Sequence, residues 1–202
     1  MPTSLIIVDD FLANAEELRS AALRLTYPEQ QGMFAGRNSM ERIELPDLAR
    51  QASSIVGEPL QPISPLHSHA KCRITLAGDQ GRSQVHVDRA HWSGILYLSR
   101  PQDCSGGTEF FRHRRTGTDR WPLDAAEVAA MGFSSVDEVR RDIVEKESND
   151  ASKWERTMQV PMRFNRLLML RPWLWHTAGP AFGDSLENGR LVYLMFFASA
   201  RT

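Results

Sequence analysis

Cysteine is scarce in this chain of 202 residues, which has only Cys72 and Cys104. The two form neither a CxxC pair nor a disulfide framework, so the sequence reads as that of a reduced, cytoplasmic protein. An excess of charge of one sign is lacking as well. Lys and Arg number 24 against 25 Asp and Glu, for a net charge of −1. That balance leaves no global electrostatic footprint for nucleic acid or a membrane surface. The longest apolar run, Leu191 to Ala198, is far short of a bilayer span. Met1-Pro2-Thr3-Ser4 has no basic start of a signal peptide, and Leu5 to Val8 is too short for the hydrophobic stretch of one. Internal repeats and low-complexity tracts are also missing. What remains is a soluble chain, read as a single domain over 1–202 and long enough to bury a core.

What is present changes character along the chain. Leu5 to Val8 reads as a short strand. Asn14, with Glu17 three residues on, then starts a helix whose stripe is Leu18, Ala21, Ala22 and Leu25, closed by Tyr27-Pro28. A second helix is expected from about Pro46 to Val56, with Gly57 after its end. Pro59, Pro62 and Pro65 forbid regular structure between them. From Ser68 the period becomes strand-like: Cys72, Ile74 and Leu76 alternate with Lys71, Arg73 and Thr75, and a strand around His86 follows. Ile95 to Leu98, Thr108 to Phe111, Leu167 to Leu170 and Leu191 to Phe197 complete the set, the last two as continuous apolar runs expected of strands covered on both faces. Between them, Arg112 to Met162 is polar and carries two capping boxes, Asp124 with Glu127 and Ser135 with Glu138. It reads as an insertion on one rim, too short and too charged to build a core. Helices first and many short strands after predict a mainly β (α+β) barrel or sandwich buttressed by N-terminal helices.

The chemistry centres on His86-Val87-Asp88. In an extended strand alternate side chains share a side, so the imidazole and the carboxylate leave one face while Val85 and Val87 leave the other. One nitrogen and one hard oxygen are two of the three ligands of a facial-triad iron site. His176 is the candidate for the third, although a histidine between Trp175 and Thr177 also fits a core position. Arg190 opens the strand Leu191-Val192-Tyr193-Leu194, either as a surface residue or as a bidentate clamp for a carboxylate. His67-Ser68-His69 is a second i, i+2 pair, and His91 follows Asp88 by three. The basic run Arg112-His113-Arg114-Arg115 reads as a solvated face, and Trp173 and Trp175 as packing.

These pieces, taken in order with Tyr97-Leu98-Ser99, Gly106-Gly107-Thr108-Glu109-Phe110-Phe111, Asn165-Arg166-Leu167-Leu168-Met169-Leu170 and Gly189-Arg190, resemble the prolyl-4-hydroxylase-like branch of the 2-oxoglutarate/Fe(II)-dependent dioxygenases. The opening Val8-Asp9-Asp10-Phe11-Leu12 plus helix looks like the usual entry of such domains, and the resemblance covers the chain except for 112–162. It implies a double-stranded β-helix, or jelly roll. It implies Fe(II) held by His86, Asp88 and His176, with 2-oxoglutarate chelating the metal, its far carboxylate gripped by Arg190 and hydrogen-bonded by Tyr97. The activity implied is hydroxylation of a small-molecule or peptide substrate by O2, with release of succinate and CO2. Two intervals depart from the pattern: Asp88 to His176 is long because of the insertion, and Arg190 lies far beyond His176. If the loop at Pro180 to Ser185 shifts the register, the clamp passes to Arg73 or Lys71. Two other readings stay open. One is a non-catalytic jelly-roll binding module; the other is a cupin-type metalloenzyme using His67 or His69 and no 2-oxoglutarate. The 112–162 insertion suits a lid over the substrate mouth or a homodimer contact.

Overall fold

Leu167, Leu168, Met169 and Leu170 are all buried, and that run forms the second strand of the larger of two sheets. In the computed structural model, which describes residues 3–29, 32–63 and 68–200, the strands are β1 (Leu5–Val8), β2 (Arg37–Asn38), β3 (Leu60–Pro62), β4 (Cys72–Thr75), β5 (Trp92–Tyr97), β6 (Gly107–His113), β7 (Trp154–Pro161), β8 (Leu167–Leu170), β9 (His176–Thr177) and β10 (Arg190–Ser199). The larger sheet runs β1-β8-β5-β10-β4-β2, with β3 also on β10, and the smaller runs β7-β6-β9. All pairings are antiparallel. Of the helices, α1 (Ala15–Ala22) and α2 (Leu48–Val56) come early, and α3 (Ala125–Ala130) and α4 (Val136–Val139) come from the insertion.

Each layer has its own apolar contacts. On one side of the larger sheet, Leu18 and Ala22 of α1 and Leu48 and Ala52 of α2 join Ile74, Leu96, Met169 and Tyr193 in the main core. On its other side Leu168, Leu170 and Ile95 meet Phe110 and Val160 of the smaller sheet. Each buried Leu, Ile, Val, Met or Phe among them contributes about 1.5–3 kcal/mol on burial. The two sheets are also pinned by a buried bond between the Tyr97 hydroxyl and Thr108 Oγ1, at 2.7 Å.

Several expectations are corrected. Helix α1 ends at Ala22, five residues before Tyr27, and the Asn14 side chain does not cap its backbone. The proline-rich stretch contains β3, which pairs Gln61 with Ala198 and ends on Pro62. A proline is tolerated on such an edge strand because no further strand needs its missing N–H. The segment 112–162 does build a core: Val128, Met131, Val139 and Ile143 pack with Val85, Trp154 and Trp175. Its last part is β7, a strand of the smaller sheet. Both capping boxes form, Asp124 accepting the Glu127 N–H and Ser135 that of Glu138. The helix after Ser135 changes to a π-helix over Arg140–Glu145.

Candidate metal centre

His86 and Asp88 do not lie on a regular strand. Among the described residues, the one ladder contact of this segment is a single antiparallel bridge between His86 and His176. The two histidines exchange main-chain bonds, His86 N–H to His176 O at 2.9 Å and His176 N–H to His86 O at 3.0 Å. One bridge suffices to preserve the alternation: Val85 and Val87 turn to the cluster around Trp175, while the His86 ring lies 4.5 Å from that of His176. His86, Asp88 and His176 each offer a ligand atom, all within 4.8 Å of one another.

The imidazoles are oriented by the backbone. His86 Nδ1 lies 2.7 Å from the Gln84 carbonyl and His176 Nδ1 lies 2.8 Å from the Leu174 carbonyl. A carbonyl can only accept, so Nδ1 carries the proton and Nε2 keeps its lone pair. Those Nε2 atoms face the Asp88 carboxylate, at 3.8 Å from Oδ1 for His86 and 3.5 Å from Oδ2 for His176. Three sets of lone pairs aimed at one point repel unless a cation lies among them, so the donor set fits a divalent metal. Ser93 donates its hydroxyl to Asp88 Oδ2 at 3.3 Å. Burial pushes His86 down to about 4, helped by His176 and opposed by Asp88. Burial alone would raise the Asp88 carboxyl, but His176 and His86, which are protonated at the acid pH where it titrates, and the Ser93 hydroxyl outweigh it and hold it at about 2. Near neutral pH both groups are in the state a metal requires.

Beside His86 opens a cavity of about 820 Å³, whose wall includes Phe34, Arg73, Thr75, Gln84 and Thr177. Arg190 opens β10 directly opposite Thr75 of β4, so the loop from Pro180 to Ser185 does not shift it off the sheet. Its side chain is buried, and among the described residues neither Nε nor Nη2 has a hydrogen-bond partner; Thr75 Oγ1 is buried without one too. Tyr97 lies opposite Val192 on the neighbouring strand, and its hydroxyl is engaged by Thr108, accepting the Thr108 N–H at 3.1 Å. Arg73 is occupied by backbone carbonyls of residues 34–36.

Other histidines stand apart from the cluster. His69 is buried, its Nδ1 accepting the Phe196 N–H at 2.9 Å; His67 lies outside the described residues. His91 meets Glu58 at 2.6 Å. His113, expected on a solvated face, is fully buried against Trp154 and 2.7 Å from Glu147. Thr75, Ser93 and the two carbonyls were missed in the sequence. Only for Thr75 was there a signal, the alternation that places it with Arg73 opposite Cys72 and Ile74.

A family model described as a family of unknown function, DUF6445, matches residues 2–197. None of the curated proteins matches. Among solved structures, SnoK, a non-heme alpha-ketoglutarate-dependent carbocyclase from nogalamycin biosynthesis, is similar at 13% identity and a TM-score of 0.57, covering 99% of this chain and 88% of SnoK. HygX from Streptomyces hygroscopicus with nickel and 2-oxoglutarate bound is similar at 15% identity and a TM-score of 0.55, covering 98% of this chain and 84% of HygX. A further HygX structure that also holds hygromycin B gives 13% and 0.54 over the same shares. At these identities the likeness establishes the fold alone: mainly antiparallel β with few helices, as in SnoK and HygX. Among the described residues, no helix is long and apolar enough to cross a membrane.

Proposed function

This chain belongs to the DUF6445 family, and from that premise we propose that it is a non-heme Fe(II)- and 2-oxoglutarate-dependent dioxygenase, a hydroxylase akin to the prolyl-4-hydroxylase-like branch on a double-stranded β-helix. The observation that carries the reading is a conjunction: the cavity beside His86 also reaches Thr75, the residue opposite Arg190. A two-histidine, one-carboxylate donor set stands in a fold shared with SnoK and HygX, and the facing larger sheet holds a buried guanidinium with two nitrogens unpartnered among the described residues. The first suits Fe(II) and the second suits a carboxylate, and 2-oxoglutarate joins the two needs in one molecule. HygX was solved with that cosubstrate and nickel.

His86, Asp88 and His176 would hold the metal, which when bound supplies the redox chemistry that couples decarboxylation of 2-oxoglutarate by O2, yielding succinate and CO2, to hydroxylation of a substrate C–H bond. Gln84 and Leu174 carbonyls keep both Nε2 atoms turned inward, and Ser93 holds the carboxylate. Arg190 would grip the far carboxylate of the cosubstrate, with Thr75 Oγ1 donating beside it. Tyr97 acts there through its hydroxyl or, via Thr108, by holding the sheets at the right separation. The substrate, a small molecule or peptide, takes the rest of the cavity beside His86. Asn149 and Arg156 of the 112–162 insertion contribute to that wall, which is the basis for reading the insertion as part of a single 1–202 domain that shapes the substrate mouth.

The test is turnover of 2-oxoglutarate to succinate by purified protein with Fe(II) under O2, without added substrate. Slow uncoupled succinate release that stops in the Asp88→Ala variant supports the reading. Metal-loaded protein that neither binds nor consumes 2-oxoglutarate overturns it.

A further inference from the structure

Residues 32–38 lie across one flank of the metal centre, and the contacts that hold them there converge on Arg73. Its Nε donates to the Ala35 carbonyl at 2.9 Å, Nη2 to the carbonyls of Phe34 at 2.6 Å and Gly36 at 3.3 Å, and Nη1 to Asn38 Oδ1 at 2.6 Å. Every acceptor is neutral. Among the described residues no carboxylate forms an ion pair with Arg73, which is largely withdrawn from water. Burial, then the neighbouring Arg190 charge, pulls its guanidinium down to about 10. A cation removed from water is costly unless its bonds are well made. Conversely, three successive carbonyls pointing into one spot repel each other unless a planar multi-donor group fills it. Arginine is the side chain with enough donors in a rigid fork to do so.

The segment so gathered carries Phe34, whose ring lies on that of His86 with centroids 3.9 Å apart and planes 33° from parallel. Its seat is narrow. A Cβ built on Gly81 would come within 2.5 Å of the Phe34 carbonyl carbon and 2.4 Å of the Ala35 nitrogen, and one on Gly36 within 2.4 Å of Thr75 Oγ1. The Met33 carbonyl accepts the Ser83 N–H at 2.8 Å. The segment is thus wedged between β4 and the approach to His86, and only the Phe34 ring extends from it onto a proposed ligand.

We infer that Arg73 is a positioning residue which, by gathering the carbonyls of residues 34–36, presses the Phe34 ring onto His86 and so fixes the imidazole and shields that flank of the centre from water. The inference rests on the metal reading above and concerns a residue that contacts neither metal nor cosubstrate in it. The apolar shell around a metal site governs its solvent access, and loss of a neighbour that orients a metal ligand typically weakens metal binding roughly 10- to 100-fold.

Titration with Co(II), followed by its visible absorption, tests this without turnover. Arg73→Lys, which keeps charge but loses the fork, and Phe34→Ala should each weaken Co(II) binding about tenfold and change the spectrum alike. Phe34→Tyr, which keeps the ring face, should restore both. The double variant should be no weaker than the worse single variant. Additive losses overturn the coupling through Phe34, and Phe34→Ala with wild-type affinity and spectrum overturns the inference outright. If circular dichroism finds Arg73→Lys unfolded, the contrast between Phe34→Ala and Phe34→Tyr decides. Wild-type protein that takes up no Co(II) overturns the metal reading and this inference together, whereas tight wild-type binding with unaffected variants overturns this inference alone.

Discussion

Thr75 and Arg190 stand opposite each other on antiparallel strands β4 and β10, and each carries a buried side-chain polar atom with no hydrogen-bond partner among the described residues. Leaving such groups unpaired costs about 1–3 kcal/mol each, more for a charged one. A carboxylate placed between them recovers that loss. In Ni(II)-loaded protein, Arg190→Ala should therefore weaken 2-oxoglutarate at least 100-fold and Thr75→Val about tenfold, while metal affinity stays within twofold, with charge-assisted bonds accounting for the difference. Isothermal calorimetry reads both, and equal 2-oxoglutarate affinity in the Arg190 variant removes its assignment.

Asp88→Asn replaces the one anionic ligand by an amide of the same shape. Metal affinity should fall more than about 100-fold, whereas Ser93→Ala, which only frees one carboxylate oxygen, should cost about three- to tenfold. Fe(II) titration under anaerobic conditions separates the two. Comparable losses in both would mean that the Ser93 hydroxyl, not the carboxylate charge, governs the site.

Ile143 sits fully buried in the cluster that joins the insertion to Val85 and Trp175. Ile143→Ala should destabilise the whole protein by about 2–5 kcal/mol, the cost of a large-to-small change in a packed core. The readout is the urea midpoint monitored by tryptophan fluorescence. A loss under about 1 kcal/mol, or a separate early transition, would mean that 112–162 unfolds on its own and the single-domain reading fails.

His69 and His113 are both held below the ordinary histidine value of 6.5, chiefly by burial. Glu44 opposes and Arg42 reinforces this at His69, while Glu147 opposes and Arg115 and Lys153 reinforce it at His113. Because the folded pKa values are lowered, the unfolded chain takes up protons first as pH falls through 6.5, so stability rises with pH across that window and is lost on acidification. Urea midpoints in chelator should fall between pH 7.5 and 5.5, and His113→Gln should flatten part of the slope. A midpoint that is constant or rises on acidification contradicts this.

Legibility in the sequence followed the range of the force involved. Leu167 to Leu170 and Leu191 to Phe197 were readable because burial on both faces demands an unbroken apolar run. The capping pairs Asp124–Glu127 and Ser135–Glu138 were readable because both partners lie within one turn. The three proposed ligands were visible only as an ordered set, since His86 and His176 meet through main-chain bonds that carry no side-chain signature. The stretch around His86 alternates like a strand, yet it pairs through that one bridge. His113 was misplaced because three exposed arginines surround a side chain whose partners, Glu147 and Trp154, lie far along the chain. The Arg73 contacts were invisible because three of its four acceptors are main-chain carbonyls, which every residue possesses.

The reciprocal bridge between His86 and His176 has one more consequence. It closes the intervening chain, insertion included, into a loop whose ends are pinned at the proposed metal ligands. The entropy of closing a loop grows only logarithmically with its length, so doubling such a loop adds only about 0.6 kcal/mol. The insertion could therefore be lengthened, shortened or exchanged at little thermodynamic cost to the closure that brings the ligands together. That allows the wall it contributes to diversify while the ligand geometry stays fixed.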